Sequence, residues 1–135
     1  MKLNESDRKE VVKFRLEKAK DTLAEVPILL ENQFYRTATN RLYYACYYAA
    51  TAMLVNDGFE AHTHNGVKRL LGLHYINENK LEESLGKIYN RLFDMRQEGD
   101  YFDLVDMNDK DILPLIEPAE QFIKTIEKLI NEKSI

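Results

Sequence analysis

The run Arg96-Gln97-Glu98-Gly99-Asp100-Tyr101-Phe102-Asp103 sets a guanidinium, three carboxylates and a phenol within eight residues, where a long helical period stops. A guanidinium grips a phosphate through two parallel N–H donors, and a neutral phenol beside it adds another. The combination predicts a phosphate- or nucleotide-facing site, with Arg96 and Tyr101 at its centre and Asp100 beside them. A structural account of the same residues stands next to it. Arg96 and Asp100 are four apart, the spacing of a helix-end ion pair worth about 0.3–0.5 kcal/mol. Gly99 would then be the helix C-cap and Tyr101 a packing ring.

Were the phosphate that of an RNA strand, cleaving it without a metal would need a base for the 2′-hydroxyl proton and a cation for the charged phosphorane. Histidine suits the base, its pKa lying near neutrality. Tyrosine, with a reference pKa of about 10, needs roughly 4 kcal/mol to ionise at pH 7. Loss of a general base costs a factor of about 10² to 10⁴. No histidine follows Arg96 in the chain. Binding is therefore expected to outlast catalysis at this cluster, unless His64 projects into the same cleft and lends the base.

A second arginine stands in Arg41-Leu42-Tyr43-Tyr44-Ala45. Tyr43 and Tyr47 share one flank of a helix there, and Tyr44 and Tyr48 another. Such rings could stack on nucleobases beside Arg41, or pack in the core with their hydroxyls at the rim. Arg41 is expected to tie helices together through a carboxylate and to line the cleft, so Arg41, Tyr44 and His64 join Arg96, Asp100 and Tyr101 as candidate nucleotide- or RNA-binding residues. His62 and His64 have no cysteine or acidic set beside them to make a metal site, and loop or N-cap roles suit them. His74 reads as a partly buried helix residue and Cys46 as a buried, inert thiol. Five aspartates and one lysine between Asp100 and Asp111 read as a solvated acidic loop. No glycine-rich phosphate loop, Ser-His-Asp set or zinc pattern is present, so neither cofactor nor metal is expected.

Five helical segments must position these residues. Val12, Leu16, Ala19, Leu23, Val26 and Leu30 share one face of the first, with Ser6 as its N-cap and a kink or break at Pro27. The second runs from Tyr35 to Asn56 with a stripe of Tyr35, Ala38, Leu42, Ala45, Ala49 and Ala52. Asp57-Gly58 ends it, glycine taking the left-handed conformation. Its alanines allow close approach and mark it as central. A third, shorter helix covers Asn65 to Ile76, and a fourth covers Leu81 to Glu98 with Leu81, Leu85, Ile88, Leu92 and Met95 inside. A loop from Asp100 to Leu113 precedes a fifth helix that opens on Pro114. Four long helices with short connections imply an all-α, up-and-down bundle.

The bulk numbers agree. A chain of 135 residues with 44% hydrophobic and 31% charged content fits one domain over 1–135 with its own core. One cysteine precludes an internal disulfide framework, and with no secretory segment at the start a cytoplasmic location is expected. No apolar run approaches the ~20 residues of a membrane span. A net charge of −4 argues against a general nucleic-acid coat but leaves room for a local cationic pocket.

Three blocks, in order between residues 35 and 103, resemble known sequences. Arg41-Leu42-Tyr43-Tyr44-Ala45 resembles the Arg-x-Tyr-Tyr-Ala signature of prokaryotic HEPN domains. His64-Asn65-Gly66-Val67 followed by Leu73-His74-Tyr75-Ile76 resembles the next block of a small stand-alone HEPN subgroup. Arg96-Gln97-Glu98-Gly99-Asp100-Tyr101 resembles that subgroup's Arg-x-x-Ala-Asp-Tyr element, with Gly99 in place of alanine. The resemblance implies a helical bundle that pairs into a homodimer, here through the central and fourth helices, with the arginine motifs facing a shared cleft. It also implies RNA or nucleotide as ligand, and a nucleotidyltransferase-like antitoxin as partner. Active relatives are metal-independent ribonucleases with a histidine a few residues after the arginine; Tyr101 occupies that slot here. The expected function is a nucleotide- or RNA-interacting module with weak or no catalysis. An active endoribonuclease and a non-catalytic protein-interaction scaffold are the alternatives.

Overall fold

A computed structural model of the protein describes residues 3–101 and 108–132, with side chains throughout these ranges except 97–101. The described residues form α1 (Glu5–Glu31), α2 (Tyr35–Asn56), α3 (His64–Leu71), a π turn (Gly72–Ile76), α4 (Glu83–Tyr101) and α5 (Asp109–Glu132). No strand occurs among them, and the all-α bundle expected from periodicity is the fold. None of its helices is long and apolar enough to cross a membrane, among the described residues.

Helix α2 is central because its small residues let neighbours come close. Ala38, Ala45, Ala49, Ala50 and Ala52 are fully buried, and α1, α3, α4 and α5 all pack on it. It ends at Asn56 as the sequence predicts, with Gly58 at φ +84°, a left-handed conformation that costs glycine little. Leu42, Tyr43, Leu92, Phe122 and Ile126 are wholly or almost wholly enclosed. Lys20 of α1 pairs with Glu127 of α5 at the surface.

Several helix ends differ from the expected ones, each because a better-placed cap or more burial wins. Asn4, not Ser6, caps α1: its side chain accepts the Asp7 N–H at 2.8 Å. Asparagine caps as well as serine does, and starting earlier leaves Glu5 and Asp7 in the first turn, where the dipole favours them. Pro27 does not end α1, which continues to Glu31. The proline forfeits one bond, to the Leu23 carbonyl, while Val26 beside it is 1% exposed and anchors this turn in the core.

Helix α3 starts at His64, because Thr63 Oγ1 accepts the Gly66 N–H at 2.9 Å. Its expected continuation to Ile76 loosens at Gly72 into the π turn, closed by the Asn77 N–H donating to the Gly72 carbonyl at 2.9 Å. Helix α4 starts at Glu83 and runs through Gly99 to Tyr101, so Gly99 is not its C-cap.

The loop expected from Asp100 to Leu113 overlaps two helices at its ends: α4 includes Asp100 and Tyr101, and α5 includes 109–113. Helix α5 opens at Asp109, and both Pro114 and Pro118 lie inside it. Asn108 Oδ1 accepts the Lys110 N–H at 2.9 Å, and Asp111 Oδ2 accepts the Asn108 N–H at 3.0 Å. This reciprocal cap, with Ile112 fully buried, outweighs the preference of proline for a first turn.

Candidate phosphate and base site on the α2, α3 and α4 faces

Helix α2 carries Tyr43, Tyr44, Tyr47 and Tyr48 over about one and a half turns, a spacing that spreads the rings over adjoining flanks. Tyr43 is fully buried, whereas Tyr44, Tyr47 and Tyr48 are half-buried. Tyr43 and Tyr47 stack with ring centroids 5.9 Å apart, and Tyr43 meets Tyr44 edge-on at 5.2 Å. The first side chain of α3, His64, lies on this surface. Its ring stacks on Tyr47 at 4.3 Å between centroids, and its Nδ1 is hydrogen-bonded to the Tyr43 hydroxyl at 2.7 Å.

Arg96 reaches the same rings from α4. Its guanidinium carbon lies 5.5 Å from the Tyr43 centroid and 5.6 Å from that of Tyr44. His64 lies 5.8 Å from each of those two rings. An imidazole from α3 and a guanidinium from α4 thus share one tyrosine platform on α2. Arg41 flanks it, its guanidinium carbon 5.2 Å from the Tyr44 centroid. Arg41 donates to Asn40 Oδ1 from Nε at 3.3 Å and from Nη2 at 2.9 Å. Among the described residues its bonds go to a neighbouring amide on its own helix; the carboxylates of Glu98, Asp100, Asp103 and Asp106, to which the expected helix tie could run, lie outside the described side chains.

The electrostatics follow from this crowding. Burial, and then the charge of Arg96, hold His64 below the usual imidazole range, so the neutral ring is favoured near pH 7. Burial pushes the Tyr43 phenol up to about 12, against the opposing influence of Tyr89 and Arg96. Burial also raises Tyr47, with the Arg15 charge working against it. A neutral imidazole bonded through Nδ1 to a protonated phenol keeps Nε2 as its remaining polar atom. That atom accepts or donates a proton according to the tautomer.

Four of the six candidate residues, Arg41, Tyr44, His64 and Arg96, come together here. The side chains of Asp100 and Tyr101, and so both the Arg96–Asp100 pair and the tyrosine slot, lie outside the described residues. Sequence reasoning placed Tyr43 and Tyr47 on a shared flank without making them the seat of His64. It also missed the contribution of α1. Lys18 Nζ lies 4.8 Å from the Tyr48 centroid and 5.9 Å from that of Phe14, which is itself exposed. The signal was available in the four-residue spacing of Phe14 and Lys18. Lys68 of α3 lies over Phe93 at 4.7 Å.

The other residues singled out lie outside the ring contacts of the tyrosine platform. His74 stacks on Phe59 at 4.4 Å between centroids. Cys46 is enclosed, and burial raises its thiol far above the usual range. His62 is exposed in the loop before α3. No group of three metal-ligating side chains occurs among the described residues.

An all-α bundle presenting an arginine and a histidine over a tyrosine-rich central helix defines a class in which the site is built across helices. The chain belongs to the HEPN domain family, which matches residues 12–130. It is 32% identical over 127 residues to a "UPF0332 protein" of Thermotoga maritima, covering 94% of this chain and 96% of that one. It is also 32% identical over 127 residues to the Methanocaldococcus jannaschii protein named "Putative toxin MJ0605", covering 93% of each. A second protein of that organism, of the same designation, is 25% identical over 135 residues and is covered to 92% of its length.

Proposed function

We propose that this chain is an RNA-interacting HEPN module of the cytoplasm, acting as a homodimer through α2 and α4 and as one half of a toxin–antitoxin-type pair. Its partner in that pair is a nucleotidyltransferase-like protein. The observation that carries the RNA reading is the convergence of Arg96 and His64 over Tyr43, Tyr44 and Tyr47. Guanidinium chemistry suits a phosphate, and half-exposed rings suit stacked bases at about 1–3 kcal/mol per base. Arg41 lies over Tyr44, Lys18 lies over the adjoining Tyr48, and the charge of Arg15 reaches Tyr47, which supports a locally cationic, aromatic face of the kind that tracks a single strand. The toxin designation of two relatives supports the paired-system half of the proposal.

One observation favours catalysis over binding alone. His64, placed beside Arg96 and held neutral, fills the role of the base that the slot after Arg96 lacks. In this reading His64 Nε2 takes the 2′-hydroxyl proton as the 2′-oxygen bonds to phosphorus, and Arg96 stabilises the phosphorane. The P–O5′ bond then breaks, the 5′-oxygen leaving with the proton returned from the imidazolium, and a 2′,3′-cyclic phosphate remains.

The test is RNA binding and cleavage by the purified protein in EDTA, comparing wild type with Arg96→Ala and His64→Ala. Binding weakened by about tenfold or more in Arg96→Ala is expected, as removal of a charge-assisted contact implies. Equal binding by all three proteins would overturn the RNA reading. Cleavage by wild type that both substitutions abolish establishes the ribonuclease; binding without cleavage leaves a non-catalytic RNA module.

A further inference from the structure

Helix α1 precedes the Arg41, His64 and Arg96 blocks, yet it continues the tyrosine platform at one edge. Lys18 makes the join: its Nζ lies 4.8 Å from the Tyr48 centroid and 5.9 Å from that of Phe14. We propose that Phe14 and Lys18 form an outlying subsite for one nucleotide of a single-stranded RNA, Phe14 stacking an unpaired base and Lys18 holding the phosphate next to it. The subsite rests on the RNA reading and adds the path that the strand takes away from Arg96.

Three observations carry it. The first is accessibility. Phe14 is 63% exposed and does not belong to the residues packed against the core. Its ring therefore offers a face, which stacking on a base requires. Tyr44 and Tyr48 lean on the core and remain half-buried, so each keeps part of its ring open.

The second is Lys18 itself. It is exposed, and none of the ion pairs among the described residues includes it. Its position four residues after Phe14 brings the ammonium within cation–π reach of a ring on its own helix and of another on α2. A cation beside two rings matches the order in which a strand presents a phosphate and the bases flanking it.

The third is continuity. Tyr48 lies 5.9 Å from Tyr44, whose ring has the guanidinium of Arg41 at 5.2 Å and that of Arg96 at 5.6 Å. No step from Arg96 through Tyr44, Tyr48 and Lys18 to Phe14 exceeds 5.9 Å. The charge agrees in sign: residues 8–18 hold five cations against two carboxylates, in a chain of net charge −4. A purely apolar patch would suit a protein partner. A row that alternates rings with cations suits a stacked, charged strand.

The experiment is fluorescence anisotropy of the full chain with labelled oligoadenylate of about ten nucleotides, within the span of a stacking groove. An abasic strand of the same length is the second probe. Phe14→Ala, Phe14→Leu, Lys18→Gln and Arg96→Ala are compared with wild type, and melting temperature and light scattering check fold and oligomeric mass. Both Phe14 variants are expected to weaken oligoadenylate binding by about fivefold or more, the loss of one stacked base, and to leave the abasic strand unaffected. Lys18→Gln is expected to weaken both strands and to lower the slope of log affinity against log salt by about 0.7, one phosphate contact.

The outcomes separate the subsite from the platform. If wild type binds neither strand, the RNA reading fails and the subsite with it. If Arg96→Ala weakens binding while Phe14→Ala and Lys18→Gln do not, the platform stands and the subsite is overturned. Weakening by the α1 variants with Arg96→Ala at wild-type affinity supports the subsite and overturns the platform. Phe14→Leu binding like wild type overturns the stacking, because any apolar side chain then suffices. A changed oligomeric mass in Phe14→Ala at unchanged RNA affinity assigns this face to a contact between copies of the chain, and overturns the subsite too.

Discussion

At the scale of single residues, the decisive contact is the 2.7 Å hydrogen bond between Tyr43 and His64. It turns a histidine that looked like a loop residue into part of a cationic, aromatic site. Its ionisation is testable without any substrate. His64 is held below its ordinary pKa by burial and by Arg96, so Arg96→Ala is expected to raise it. An NMR titration of the imidazole checks this, and an unchanged value would mean that the two side chains do not feel each other. The same linkage gives a sign for stability. Because the folded pKa is depressed, the unfolded chain binds the proton more readily. The contribution of His64 is fully present above about pH 6.5, the unfolded reference, and is lost as pH falls through the folded value. Denaturant midpoints measured from pH 7 to pH 5 should therefore fall with acidification, and fall less in His64→Gln.

At the scale of elements, the helix ends carry the lesson. Helix α5 accepts two internal prolines because Asn108 and Asp111 close its first turn reciprocally. Asn108→Ala is expected to destabilise the protein by about 1 kcal/mol, the usual value of such a cap. Pro118→Ala should act in the opposite sense. It restores an N–H that can donate to the Pro114 carbonyl, and a gain of roughly 1–3 kcal/mol is expected from the helix penalty of proline. Urea denaturation of both variants decides the matter. A neutral Asn108→Ala would show that Ile112 burial, not the cap, holds the first turn.

Across the whole molecule, α2 acts as both the packing axis and the floor of the site. Its alanines face neighbouring helices while its tyrosines face His64 and Arg96. Ala49 has no exposed surface, so Ala49→Leu must push a helix away. A loss of about 1–3 kcal/mol is expected, read by thermal or urea unfolding. If the site depends on this packing, the variant also loosens the Tyr47–His64 stacking, and the His64 titration moves toward its ordinary value. An unchanged stability would show that the bundle has slack at its axis.

Much of this was legible in the residues alone. The periods of 3.6 gave the helices, and the end of α2 at Asn56 was legible because Gly58 can take the positive φ that stops a helix. The order of the Arg41, His64 and Arg96 blocks was enough to recognise the HEPN family. Local caps were read less well, since Asn4 and Ser6 are comparable caps and only burial and dipole choose between them. That His64 shares a site with Arg96 was raised by the order of the blocks, but its seat on Tyr43 and Tyr47 was beyond the sequence. These residues lie on three helices, and their meeting depends on how closely the alanines of α2 let α3 and α4 approach. Helix identity follows from local spacing, which one strand of sequence carries in full. Site geometry follows from interhelical distances, which only the packed core decides.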